Sequence, residues 1–158
     1  MAGRPGGHAG VRALLQRTSG ASVAVAGETV SSIGPGLVVL LGVGPADDDG
    51  TVGSLARRIV ELRIFRDSEG RTNHSLLEVG GAVLLISQFT LFADTRRGRR
   101  PGFTGAAPPE LAERLYDRMA ADLRKLGVEV ATGRFGAEMA VQLTNDGPFT
   151  IWLDTDER

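Results

Sequence analysis

Leu84-Leu85-Ile86-Ser87-Gln88-Phe89-Thr90-Leu91-Phe92 starts as an apolar run, meets two hydroxyls and an amide, and returns to apolar residues. A buried strand needs only hydrophobic side chains on its core faces. Polar residues in mid-run are therefore either satisfied structural groups or the lining of a site. Leu143-Thr144-Asn145-Asp146-Gly147-Pro148-Phe149-Thr150 has the same character near the other end of the chain. Ser87 and Thr90 have no obvious base beside them, and hydrogen bonds to their own backbone are the plain alternative. Gly147-Pro148 reads plainly as a turn between two strands. Its functional reading is a rigid corner, because proline fixes φ and its peptide bond can be held cis.

Working outward from the central run, Val83 to Phe92 reads as one buried strand. Before it, Val11 to Arg17 alternates as a first strand, and Ser22–Val25 and Thr29–Ile33 are short strands about a Gly27 turn. Leu37 to Val43 is a continuous apolar run, expected to be buried on both faces. Asp47-Asp48-Asp49 offers helix caps, and Val52, Leu55, Ile59 and Leu62 then recur at helical spacing. Asp67 to Gly70 is turn chemistry. A second helix starts at Pro109, with Leu111, Leu115, Met119 and Leu123 on one stripe and Gly127 as its stop. Strands over Val128–Thr132, Met139–Thr144 and Phe149–Leu153 complete the order. The pattern predicts one mixed α/β domain over residues 11–154, with strands outnumbering two main helices. Residues 1–10 read as a flexible tail and 155–158 as a short C-terminal one.

The chain has 158 residues, a formal net charge of −1, no cysteine and two histidines. Without cysteine there is no disulfide framework, thiolate nucleophile or Cys-ligated metal. Two histidines, His8 and His74, cannot build a His-rich zinc site, so neither metal nor cofactor is expected. No run approaches the length of a membrane span, and the start lacks a signal-peptide core. The expectation is a soluble, cytoplasmic protein with no membrane partner. His74 has no G-x-S-x-G elbow to serve, so a serine–histidine hydrolase is disfavoured. Arg96-Arg97-Gly98-Arg99-Arg100 is either a solvated loop or a concentrated phosphate-binding element.

Ser87-Gln88-Phe89-Thr90-Leu91 and Asn145-Asp146-Gly147-Pro148-Phe149-Thr150 together resemble the two motifs of the D-aminoacyl-tRNA deacylase family. Leu15-Gln16-Arg17, Gly34-Pro35-Gly36-Leu37 and Thr132-Gly133-Arg134-Phe135 also look like family sequence at the expected places. One departure is Phe149, where the family commonly has valine. The resemblance implies a largely antiparallel, barrel-like sheet in a homodimer. It implies hydrolysis of the ester of D-aminoacyl-tRNA, and of glycyl-tRNA mischarged on tRNA-Ala, with L-aminoacyl groups rejected. In that picture Gly147-Pro148 enters the partner's pocket as a cis corner, and Arg17 locks it. Ser87, Gln88, Phe89 and Thr90 form the catalytic segment, with the Gln88 and Phe89 amides offered to the ester carbonyl. Aminoacylated tRNA is then the partner and DNA is not expected, with Arg96, Arg97, Arg99 and Arg100 as candidate tRNA contacts. A nucleophilic Thr90 lacks a base. Water attack, assisted by a 2′-hydroxyl of the RNA and by positioned amides, is the favoured route. The rival from another class is a non-catalytic tRNA- or single-strand-binding module.

Overall fold

Alternating burial from Arg12 to Val25 builds a single 14-residue strand, β1, in a computed structural model that describes residues 10–156. Local patterning divides this stretch into two strands. It stays whole because β8 (Ala140–Asp154) lies antiparallel along nearly all of it. On its other side β1 meets two partners in turn: its first half pairs with β3 (Gly36–Gly42), its second with β2 (Glu28–Ile33). The β1–β2 turn uses Ala26 and Gly27, both at positive φ, 53° and 81°.

The sheet runs β2-β1-β3-β6-β7, where β6 is Ala82–Ser87 and β7 is Glu129–Thr132. β1 pairs antiparallel with β2, β3 and β8, whereas β3, β6 and β7 are mutually parallel, so the sheet is mixed with its antiparallel part the larger, as expected. Ser31 on β2 donates its hydroxyl to the Thr132 carbonyl on β7 at 2.7 Å, drawing the two ends of the sheet together into a nearly closed barrel. At the start of β3 the backbones approach so closely that a Cβ on Gly36 would collide with Ala82, which only glycine avoids.

β3 and β6 are buried on both faces, as their unbroken hydrophobicity requires. Leu37, Val39, Leu41, Val83 and Leu85 face the helices, whereas Val38, Leu84 and Ile86 face the barrel interior with Val23 and Ile33. Helix α1 (Asp49–Glu61) is capped by Asp48, whose carboxylate accepts from the Thr51 amide at 2.9 Å. It buries Val52, Leu55, Ala56, Ile59 and Val60. A hairpin and a short helix between α1 and β6 were not foreseen. β4 (Arg63–Arg66) and β5 (Thr72–Ser75) form a separate hairpin around the expected turn, and α2 (Leu76–Val79) follows with a capping box of Ser75 and Glu78. Helix α3 (Pro109–Lys125) starts on Pro109 as expected, ends before Gly127, and buries Leu115, Met119 and Leu123.

The chain between β6 and α3 corrects the central reading. β6 stops at Ser87 and Phe89–Phe92 is a 3-10 turn. The Gln88 amide makes the last rung to the Leu41 carbonyl, 2.7 Å; Leu91 and Ala93 then donate back to Gln88 and Thr90. Gly42 leaves room for this turn, since a Cβ there would lie 3.1–3.2 Å from Gln88, Leu91 and Phe92. Gly10 and Asp156, expected to belong to the tails, are tied to one another: the Gly10 amide donates to the Asp156 carboxylate at 2.9 Å. The expectations for residues 1–9 and 157–158 lie outside the described residues. No helix among the described residues is long and apolar enough to cross a membrane.

Candidate functional site

The C-terminal ends of β3 and β6, the 3-10 turn, the first turn of α3 and the β7–β8 connection enclose a cavity of about 530 Å³. Parallel strands leave such a crevice beyond their carboxyl ends. Leu41, Val43, Ile86, Met139 and Val141 line its apolar depth, and Ser87, Gln88 and Phe89 its edge. Phe103 meets Phe89 edge-on with ring centroids 5.0 Å apart, so two exposed aromatics stand at the mouth. No Asp, Glu, His, Lys or Arg lines this cavity among the described residues. Proton chemistry there must come from hydroxyls, amides, water or the ligand itself.

The main chain at the edge is only partly available. The Gln88 N–H is committed to the Leu41 carbonyl, so its expected role toward an ester carbonyl is withdrawn. Phe89 and Thr90 occupy the first turn of the 3-10 helix, which supplies no acceptor for its opening amides. The Gln88 side chain bonds the Thr90 hydroxyl and fixes its direction. Arg12, which sequence reasoning passed over, holds the turn from behind. It donates to the Leu91 carbonyl at 2.8 Å, pairs with Asp154 at 3.3 Å, and lies 4.3 Å from the Phe92 ring centroid.

The second motif lies elsewhere. From Asn145 to Thr150 β8 takes five steps against two on β1 from Gln16 to Thr18, so three residues loop out around Gly147-Pro148. The expected turn between two strands is thus a bulge within one. The Gly147-Pro148 peptide bond is cis and Gly147 has φ +148°. Asn145 staples the base of the bulge: its side chain accepts from the Phe149 amide at 2.6 Å and donates to the Thr150 hydroxyl at 2.9 Å.

Arg17, buried on β1, donates to the Asp146 carbonyl at 2.9 Å and to the Ile64 carbonyl at 2.7 Å, with its guanidinium 4.5 Å from the Phe149 ring centroid. Burial lowers its pKa, the nearby Arg66 adds to that, and Asp146 opposes it. Arg66 grips the Asp146 carboxylate with two bonds, 2.8 and 3.2 Å, which hold that carboxyl below its usual range.

Strand register fixes the relation of the two motifs. Ser87 is level with Leu41, Ala13 and Leu153; Ala82 is level with Gly36, Thr18 and Asn145. Within one chain the Gly147-Pro148 corner therefore sits at a different level of the strands from Ser87, and neither Gly147 nor Pro148 lines the cavity.

A sequence model of the family described as D-Tyr-tRNA(Tyr) deacylase matches residues 14–154. The chain belongs to that family. A D-aminoacyl-tRNA deacylase of Dinoroseobacter shibae is 59% identical over 144 residues, covering 91% of this chain and 99% of the relative. One from a Roseiflexus species is 58% identical over 145 residues, covering 92% and 94%. Of the solved structures, one named "c-Myc DNA Unwinding Element Binding Protein" superposes with a TM-score of 0.85 at 39% identity, covering 90% of this chain and 97% of the other. A probable eukaryotic D-amino acid tRNA deacylase superposes at 0.81 with 20% identity, covering 92% and 99%, a likeness of fold alone. As a member of this deacylase family the chain is a hydrolase acting on the aminoacyl-tRNA ester bond.

The remaining expected site residues fall in two places. Asp94 and Gly102 pair as an isolated bridge that closes the arginine loop. Arg96, itself exposed, is tied to Asp94 by two side-chain bonds of 2.9 and 2.8 Å and holds that carboxyl far below its usual range. Arg97, Arg99 and Arg100 are exposed, and the loop leads directly to Phe103 at the cavity mouth. His74 pairs with Glu78 at 3.5 Å on the β4–β5 side and does not line the cavity. Phe103 and Met139 were missed as lining residues; an aromatic shortly after an arginine run was the available signal. Arg66 was missed because its strand was not read.

Proposed function

We propose that this deacylase works as a homodimer in the cytoplasm, each cavity receiving the D-aminoacyl end of a tRNA and being closed by the Gly147-Pro148 corner of the other subunit. The supporting observation is the cavity itself: apolar in depth, edged by main chain, and without a titratable side chain among its described lining. Gly147 and Pro148 are not among the lining of their own chain's cavity, so a second chain is the source of any corner placed there.

Such a pocket binds what all amino acids share, and so accepts many D side chains. The corner's carbonyls stand where an L side chain would project. Glycine, having no side chain, passes the filter, which extends the activity to glycyl-tRNA mischarged on tRNA-Ala. The ester carbonyl accepts hydrogen bonds from the Phe89 and Thr90 amides. Water attacks the carbonyl carbon, the acyl–ribose oxygen bond breaks, and the departing ribose oxygen takes up a proton. The neighbouring 2′-hydroxyl of the RNA mediates that proton transfer, and Thr90 positions the ester. Losing one oxyanion donor costs about 10²–10³ in rate, so aligned amides supply a large share of the acceleration. Arg97, Arg99 and Arg100 take phosphates without reading sequence.

The test is release from D-Tyr-tRNA and L-Tyr-tRNA in parallel. Rapid D release with L-Tyr-tRNA left intact is the expected result. Binding of both without release supports the rival nucleic-acid-binding module, for which the exposed arginines of the loop that leads to Phe103 are the favouring feature.

A further inference from the structure

We infer that Arg66 is a positioning residue for the chirality filter: by holding the Asp146 carboxylate, it keeps Arg17 on the Asp146 carbonyl and so sets the direction of the Gly147-Pro148 corner. The inference rests on the filter reading above.

The Nε–H of Arg17 can make one good bond. It points at the Asp146 carbonyl, 2.9 Å away, while the carboxylate of the same residue waits at 3.7 Å. Charge-assisted bonds are shorter and stronger than neutral ones. A free Asp146 carboxylate would therefore take that N–H from the carbonyl and turn the following peptide, which is the one carrying Gly147. Arg66 prevents this by fork-like binding of both carboxylate oxygens, at 2.8 and 3.2 Å. β4 supplies the brace at two points, since the Ile64 carbonyl takes the other end of Arg17 at 2.7 Å. Strand β4 thus anchors both guanidiniums that meet at Asp146.

The Arg66–Asp146 pair is half exposed, 46% and 38%, and exposed pairs contribute little to stability. Removing Arg66 should change selectivity and leave melting nearly untouched. That separates a positioning role from a structural one.

The experiment compares the wild type with Arg66→Ala, Arg66→Lys and Arg71→Ala in D-Tyr-tRNA and L-Tyr-tRNA release. Arg71, whose side chain pairs with Glu69 at 3.6 Å on the same hairpin, controls for the removal of a surface charge. The expected result is a D-over-L ratio reduced about tenfold or more in Arg66→Ala, with an unchanged melting temperature and an unchanged ratio in Arg71→Ala. Lysine keeps the charge but lacks the fork, so Arg66→Lys should restore only part of the ratio. A wild-type ratio in Arg66→Ala, or an equal fall in Arg71→Ala, overturns the inference. A wild type with no D-selective release overturns the filter reading instead, so the two failures are distinguishable.

Discussion

The cavity edge at Ser87–Thr90 and the corner at Gly147-Pro148 are built by opposite means. The edge is uncharged and borders an apolar cavity, with an amide already committed at Gln88 and no charged side chain among its described lining. The corner is tied at both flanks by polar side chains: Arg17 and Arg66 hold the Asp146 carbonyl and carboxylate, and Asn145 holds the Phe149 amide. A surface that only had to bind RNA would need no such rigidity. One that must reject a mirror-image substrate needs a stop that does not yield, set against a pocket that tolerates many side chains.

The largest effect should come from cutting the corner's buried tie. Arg17→Ala strands the Asp146 and Ile64 carbonyls, each costing about 1–3 kcal/mol where buried. At about 2–4 °C per kcal/mol for a domain of this size, melting should fall by roughly 10 °C, and L-Tyr-tRNA release should rise in the surviving fold. A variant that melts normally and stays D-selective would show that the corner stands without its clamp.

At the cavity end of the strands the strongest electrostatic effect is Asp47. Burial raises its pKa from 3.8 to about 7, against the Gly44 amide that donates to it at 2.6 Å; Asp156 and Asp154 nearby add to the rise. The folded state therefore holds this proton more tightly than the unfolded one. Its contribution is complete below about pH 4 and is lost as pH climbs through 7. Thermal unfolding of the wild type should weaken by on the order of 3 kcal/mol between pH 5 and 8 from this group, and Asp47→Asn should flatten the profile. Equal slopes in both proteins would contradict the assignment.

Replacing Arg97, Arg99 and Arg100 by glutamine should lower the salt slope of tRNA binding by about 0.7–0.9 for each phosphate no longer neutralised. The D-over-L ratio should be unchanged, because these residues stand outside the corner. An unaltered slope removes the loop from the binding face. The smallest effect is at Thr90. If water attacks, Thr90→Ala should slow release by about tenfold or less, roughly 1.4 kcal/mol, and no acyl-enzyme should be trapped on the wild type. Abolished turnover together with a trapped ester on Thr90 would make it the nucleophile.

Much of the frame was legible because periodicity and capping agree locally. Asp48 with Val52, Leu55 and Ile59, and Pro109 with Leu115, Met119 and Leu123, each combine a start signal with a buried stripe. β3 was readable from its unbroken apolar run. What failed depends on partners distant in sequence. β1 and β8 are single long strands because they run along one another, and a Gly-Pro that signals a turn locally becomes a bulge once both flanks pair with one strand. The β4–β5 hairpin shows only Ile64 and Phe65 as core residues between charged neighbours, too short a pattern for a strand signal. Arg66 was hidden with it. The 3-10 turn at Phe89–Phe92 was missed because it keeps strand-like composition while the rung to Leu41 ends the ladder.

The central claim is that the corner of one subunit reaches the cavity edge of the other. The chain contains no cysteine, so Phe89→Cys and Pro148→Cys, combined in one chain, create the only thiols. A short bismaleimide joins these thiols only where corner and cavity edge come together, and Pro148 does not line the cavity of its own chain, whose edge holds Phe89. The account predicts a covalent dimer from the double variant and monomers from either single variant after denaturing electrophoresis. A double variant that is dimeric in solution yet runs only as a monomer after cross-linking contradicts it.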